Sequence, residues 1–205
     1  MKEKWNSVLP WLFMALFALT RWPGVLPLNF SAAYGLVFCA GVYNRRIPWW
    51  MMLGTMLVTD VSLNIFYYDR EIFSDYQAVN YLAFGAIYFI GRMLKAKTHF
   101  AGLLGGGLFG AVLFYIITNS ASWWYNPEYA KTLSGWLQAL SIGTSGWPET
   151  WKFFQNTLLS GGLFTALFVG AMKATSPEED EAHEPVEEPA PEGAVEPKST
   201  EEKKA

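Results

Sequence analysis

Residues 8–42 form one long apolar run that is broken once, over residues 20–31. The break contains Pro23, Gly24 and Pro27, with Arg21 and Asn29 close by. Proline removes a backbone donor and glycine relaxes the chain, so one helix cannot continue through it. The flanking stretches lack the polar face that a soluble core helix shows every turn. In a membrane, irregular polar backbone at such a depth survives only where protein or a watery cavity covers it. Residues 20–31 are therefore expected to lid a binding site whose walls come from later helices.

Charge is scarce and badly distributed: 16% of residues are charged, against 52% hydrophobic, and most of the eighteen Asp and Glu follow Thr175. The remaining body has apolar runs near the ~20 residues that a bilayer core requires. It reads as an all-α integral membrane protein. Six spans are predicted, over residues 7–22, 31–43, 47–68, 78–94, 100–123 and 152–172, with the second short for a full crossing. A short interfacial helix is expected over residues 128–140. Residues 1–174 would form the transmembrane domain. Residues 175–205, acidic and proline-punctuated, cannot bury a core and should be a disordered tail.

Lys and Arg near the span ends set the orientation. With the N-terminus inside, the inner breaks hold Lys2, Lys4, Arg45, Arg46, Arg92, Lys95, Lys97 and Lys173. The outer breaks hold only Arg21, Arg70, Lys131 and Lys152. Both termini are thus expected in the cytoplasm. Lys2 and Lys4 before an apolar run also suit a secretory leader, but no small-x-small cleavage site follows, so no cleavage is expected. Cys39 is the only cysteine, which excludes an intrachain disulfide and argues against a cysteine metal cluster. No metal, cofactor or nucleic-acid partner is expected.

The third span carries the deepest charge, Asp60, with Thr59 beside it and Asn64 one turn on, on the same face. A carboxylate within a span is costly and needs a partner, for which Arg21 is the candidate. Either the pair belongs to a site or it merely locks the first span to the third. Asn80 and Tyr81, Thr118, Asn119 and Ser120, and Gln155, Asn156 and Thr157 gather at the same outer level. Together they suggest an externally open cavity with walls such as Trp123, Trp124, Tyr125 and Trp136. The candidate substrate-binding residues are Arg21, Asn29, Asp60, Asn64, Asn119 and Asn156.

Gly102, Gly106 and Gly110, four apart with Gly105 and Gly107 beside them, make a flat stripe for close helix packing, internally or against another protein. Gly143-Thr144-Ser145-Gly146 has the short pattern of intramembrane serine proteases. That chemistry needs a histidine base, and His99 and His183 lie elsewhere, so no catalytic residue and no enzyme are expected.

These residues carry a resemblance to an uncharacterised family of small bacterial membrane proteins classed as transport proteins. That family is similar in size and topology to the substrate-binding S components of energy-coupling factor transporters. The resemblance runs from Trp11 to Gly170. It rests on Arg21 with Pro23, Pro27-x-Asn29-Phe30-Ser31, Thr59-Asp60, Asn119, Tyr129-x-x-Thr132-x-x-Gly135, and Pro148 through Asn156-Thr157-Leu158 to Phe164-Thr165. The acidic residue usual near Gly161 is absent, and Ala15 and Ala18 are three apart where S components space their docking residues by four. The resemblance implies a multi-pass protein of the bacterial cytoplasmic (inner) membrane that captures a small molecule for uptake. Its partners would be the bilayer, the substrate, a transmembrane coupling subunit and ATPases. The alternative is a structural or assembly protein that packs through its glycine-rich helices.

Overall fold

A computed structural model describes residues 2–72 and 75–176. The described residues form seven α-helices and no strand: α1 (Lys2–Thr20), α2 (Ala33–Val42), α3 (Trp49–Phe66), α4 (Asp75–Met93), α5 (Phe100–Tyr125), α6 (Leu133–Ala139) and α7 (Thr150–Thr175). Each predicted span has its helix, with shifted ends. Of these helices, α5 and α7 are long and apolar enough to cross a membrane, while Ser7–Thr20 and Ala33–Val42 are apolar but shorter. The expected disordered tail lies outside the described residues, apart from Thr175 and Ser176.

The core is a group of four helices in which α2 packs on α4 and α7, and α5 packs on the same two. All ten residues of α2 are buried. At 1.5 Å per residue it is only ~15 Å long, against ~39 Å for α5. Residues 21–32 therefore occupy the space that a longer α2 would have filled. Phe30 reaches Phe164, midway along α7, with ring centroids 6.1 Å apart.

Single glycines allow α2 to sit this deeply. A Cβ on Gly35 would lie 2.5 Å from the backbone of Phe164 and Thr165. Gly41 and Gly91 face each other where α2 crosses α4, each against the other helix's backbone. Around this group, α1 seals one side through Phe13, whose ring lies 4.3 Å from Phe168.

The helix expected over residues 128–140 is shorter than predicted. Thr132 starts it by accepting a hydrogen bond from the Gly135 amide at 3.2 Å, and it runs only over Leu133–Ala139. The residues before it are held by Lys131, which donates to the carbonyls of Trp123 and Asn126. Trp136 donates to Ser120 at 2.8 Å and Tyr115 to the Leu140 carbonyl at 2.6 Å, fastening α6 to the end of α5.

Candidate binding site

Thr20 closes the loop between α1 and α2. Its hydroxyl donates to the Phe17 carbonyl at 2.8 Å and accepts from the Ala32 amide at 3.2 Å, tying the two ends together. Within the loop, Gly24 has φ 81° and Asn29 φ 62°. Asparagine is among the few non-glycine residues that visit this left-handed region readily. The Asn29 carbonyl accepts from the Tyr34 hydroxyl at 3.2 Å, and Asn156 on α7 donates to the Leu28 carbonyl at 2.9 Å. The break in the apolar run is thus an ordered strap, held at its base and its tip.

Arg21, at the start of the strap, forms an ion pair with Asp60 of α3. Tyr81 of α4 donates to the other carboxylate oxygen at 2.5 Å. Both oxygens of Asp60 therefore have partners, one ionic and one neutral. Only 10% of the Asp60 side chain is exposed, against 24% for Arg21. Asp60 thus positions the guanidinium, while Arg21 faces open space. The guanidinium also lies over the Phe17 ring, 5.5 Å from its centroid.

Three cavities adjoin at this end of the bundle. One of about 360 Å³ lies under the strap, between Arg21, Asn29, Phe30, Tyr34, Tyr68, Tyr76, Asn80, Phe84, Phe114 and Thr118. A second, about 260 Å³, shares Arg21, Tyr76, Asn80 and Phe84 with it and adds Asp60, Asn64, Gln77 and Tyr81. A third, about 500 Å³, shares Asn29, Tyr76 and Thr118 and runs on to Asn119, Tyr129 and Thr144. Tyr34, Phe84 and Phe114 form the floor, with ring centroids 4.7–6.2 Å apart. Phe84 and Phe114 stand midway along α4 and α5, so the floor is at mid-bundle.

The predicted site residues divide. Arg21, Asn29, Asp60, Asn64 and Asn119 line these cavities. Asn156 lines none of them; one of its side-chain N–H groups holds the strap. Asn64 donates to the Ile72 carbonyl at 3.1 Å and to Gln77 at 3.3 Å, so it also braces the start of α4. Asn119 donates back to the Tyr115 carbonyl at 2.8 Å, which leaves its side-chain oxygen to the cavity. The expected aromatic walls are elsewhere: Trp124 and Tyr125 are exposed, while Trp123 and Trp136 hold the α6 region.

Of the rings that line the site, Phe30 and Tyr81 stand out in the sequence, whereas Tyr34, Tyr68, Tyr76, Phe84 and Phe114 do not. One signal was available on α4, where Gln77, Asn80, Tyr81 and Phe84 recur at three- and four-residue spacing on one face.

The glycine stripe of α5 also divides. A Cβ on Gly106 would come within 3.0 Å of Leu94 and Phe38, and one on Gly110 within 3.4 Å of Ile87, so both face α2 or α4 and its end. Gly102 instead has Thr98 and His99, just before its own helix, as its nearest neighbours. Gly143 and Gly146 have φ 81° and 86° and turn the chain between α6 and α7. Between them Thr144 hydrogen-bonds the Tyr129 hydroxyl, whose pKa burial raises above 10.0 despite that bond.

The model of a family of unknown function, DUF6580, matches residues 1–183. No curated protein and no solved structure matches the chain.

Proposed function

The chain belongs to the DUF6580 family, and we propose that it is a membrane subunit that binds a small organic molecule for uptake. The observation that carries this reading is the strapped cavity, which joins one partly exposed guanidinium to a floor of three aromatic rings at mid-bundle. A guanidinium has five N–H donors. Asp60 takes one through Nη2, so others are available to a carboxylate or carbonyl on a ligand. The fitting ligand has such a group on a flat, largely apolar body, placed on Tyr34, Phe84 and Phe114. Its volume, about 360 Å³, falls in the range of small-molecule sites, and its lining sets polar groups such as Arg21, Asn29 and Asn80 against aromatic rings.

The outer surface supports a multi-pass membrane setting. Exposed Val58, Leu82, Phe89, Phe109, Leu163 and Leu167 form an aliphatic and aromatic band around the helices. Exposed tryptophans flank it at both ends, Trp5, Trp49 and Trp50 at one and Trp22, Trp124 and Trp151 at the other, while exposed Trp11 lies midway along α1. Contiguous apolar surface with flanking indoles suits a bilayer and its two interfaces. With six spans, and with α2 and its strap together counting as the second, the site opens outward and both termini are cytoplasmic. Irregular backbone in the outer half of the second span is then covered by protein and cavity, as the hydrocarbon demands. The resemblance to S components fits this arrangement, with a coupling subunit and ATPases as partners in the inner membrane.

The test is to purify the protein in mild detergent and identify co-purifying small molecules by native mass spectrometry. A bound molecule lost in Arg21→Gln, with the fold intact, is expected. A protein that carries nothing, and whose thermal midpoint ignores a broad panel of carboxylate and carbonyl metabolites, would refute the reading. The alternative, an assembly protein packing through α5, has less support because Gly106 and Gly110 are already covered within the chain.

A further inference from the structure

At the opposite end of the bundle a further cavity, about 580 Å³, lies between the α2–α3 and α4–α5 connections. Arg45, Arg46, Arg92, Lys95 and Lys97 line it, and no carboxylate is among the lining residues. Arg46 is committed to the end of α7, donating to the Met172 carbonyl at 3.1 Å and to Thr175 at 2.9 Å. Arg92 donates to Asn44 at 2.8 Å. Arg45, Lys95 and Lys97 are exposed. Like charges gathered this closely repel unless an anion joins them.

The chain leaves α7 at this point. Ser176, the last residue described there, itself lines the cavity. The residues that follow are Pro177-Glu178-Glu179-Asp180-Glu181, and residues 177–205 carry most of the chain's eighteen Asp and Glu. At about 3.3–3.6 Å per residue, the run 177–181 reaches ~17 Å, enough to cross a cavity of this size. Tethering at Ser176 also makes the encounter intramolecular, with an effective concentration in the millimolar range or above.

We propose that the acidic segment beginning at Pro177 occupies this basic cavity and neutralises it as an intramolecular ligand. The interaction is between exposed charges, so it weakens with salt as the Debye length falls from ~10 Å at 0.1 M to ~3 Å at 1 M. The proposal does not depend on the uptake reading.

The test uses the full chain in nanodiscs of zwitterionic lipid at low salt, as an equal mixture of unlabelled and nitrogen-15-labelled copies. A carbodiimide joins carboxylates to lysines in direct contact, and mass spectrometry locates the joined peptides. Cross-links within one copy from Glu178–Glu181 to Lys95 or Lys97 are expected, and they disappear at 1 M salt. Arg45→Gln with Arg92→Gln, which leaves both reactive lysines in place, is expected to lower their yield about fivefold, given the ~0.2–1 kcal/mol typical of each exposed pair. The proposal is overturned if these cross-links are absent or join only different copies. It is equally overturned if Glu178–Glu181 also join Lys131 or Lys152, at the other end of the bundle. Loss of the cross-links when anionic phospholipid replaces the zwitterionic lipid would assign the cavity to lipid headgroups instead.

Discussion

Asp60→Asn removes the carboxylate charge at constant shape and leaves Tyr81 an amide oxygen to donate to. What it withdraws is the ionic partner of Arg21. Exposed pairs are worth about 0.2–1 kcal/mol, and stripping one partner from a buried pair costs about 3–5. With 10% of one side chain exposed and 24% of the other, this pair falls between those limits, at about 2 kcal/mol. For a chain of this size, with about 2–4 °C of thermal midpoint per kcal/mol, that is a fall of about 4–8 °C. The assay is tryptophan fluorescence during heating and denaturant titration in mixed micelles, run as a double-mutant cycle with Arg21→Gln. Each single change is expected to lower stability, and the double variant to lie close to the singles because the second change finds no partner left to lose. A loss below about 0.5 kcal/mol for Asp60→Asn, or losses that simply add, would refute the view that the two residues act as one positioning unit.

Gly91→Ala places a Cβ against the Phe38 carbonyl where α2 crosses α4, and an overpacking loss of about 1–3 kcal/mol is expected by the same unfolding assay. Gly85→Ala on the same helix meets nothing within 4 Å and should be neutral or stabilising by up to about 1 kcal/mol; equal effects at the two positions would refute the packing argument. Tyr129 is held neutral by burial, with a folded pKa above its ordinary 10.0. Its stabilisation is present below that pH and is lost as the pH climbs through the folded value. Tyr129→Phe should therefore flatten part of the alkaline fall in thermal midpoint, and an unchanged pH profile would count against it.

Helix content, the position of each long helix and the pairing of Arg21 with Asp60 could all be read from the sequence alone. Apolar runs must satisfy their backbone internally, which leaves helices, and a lone deep carboxylate must find a cation at its own level. Pro23 and Pro27 marked the strap between α1 and α2 because each lacks a backbone donor, with Gly24 between them free to take φ 81°. α6 is shorter than its sequence suggests because the Thr132 hydroxyl caps it at the Gly135 amide, outweighing the helix propensity of the residues before it.

Only the tertiary structure decided how deep the strap sits and what it covers. That depth depends on Gly35, Gly41 and Gly91, glycines on α2 and α4 that form no spaced motif, whereas the visible stripe on α5 includes Gly102, whose nearest neighbours are Thr98 and His99 just before its own helix. Tyr34, Phe84 and Phe114 come from three helices far apart in the chain, so no local pattern could bring them into one floor. Asn156 is a polar residue on an apolar helix, and only the packed structure shows its side chain reaching the Leu28 carbonyl, 128 positions away. Sequence periodicity reports which way a residue points on its own helix; which neighbour it meets is set by how closely two backbones can approach, and that is a property of the packed pair.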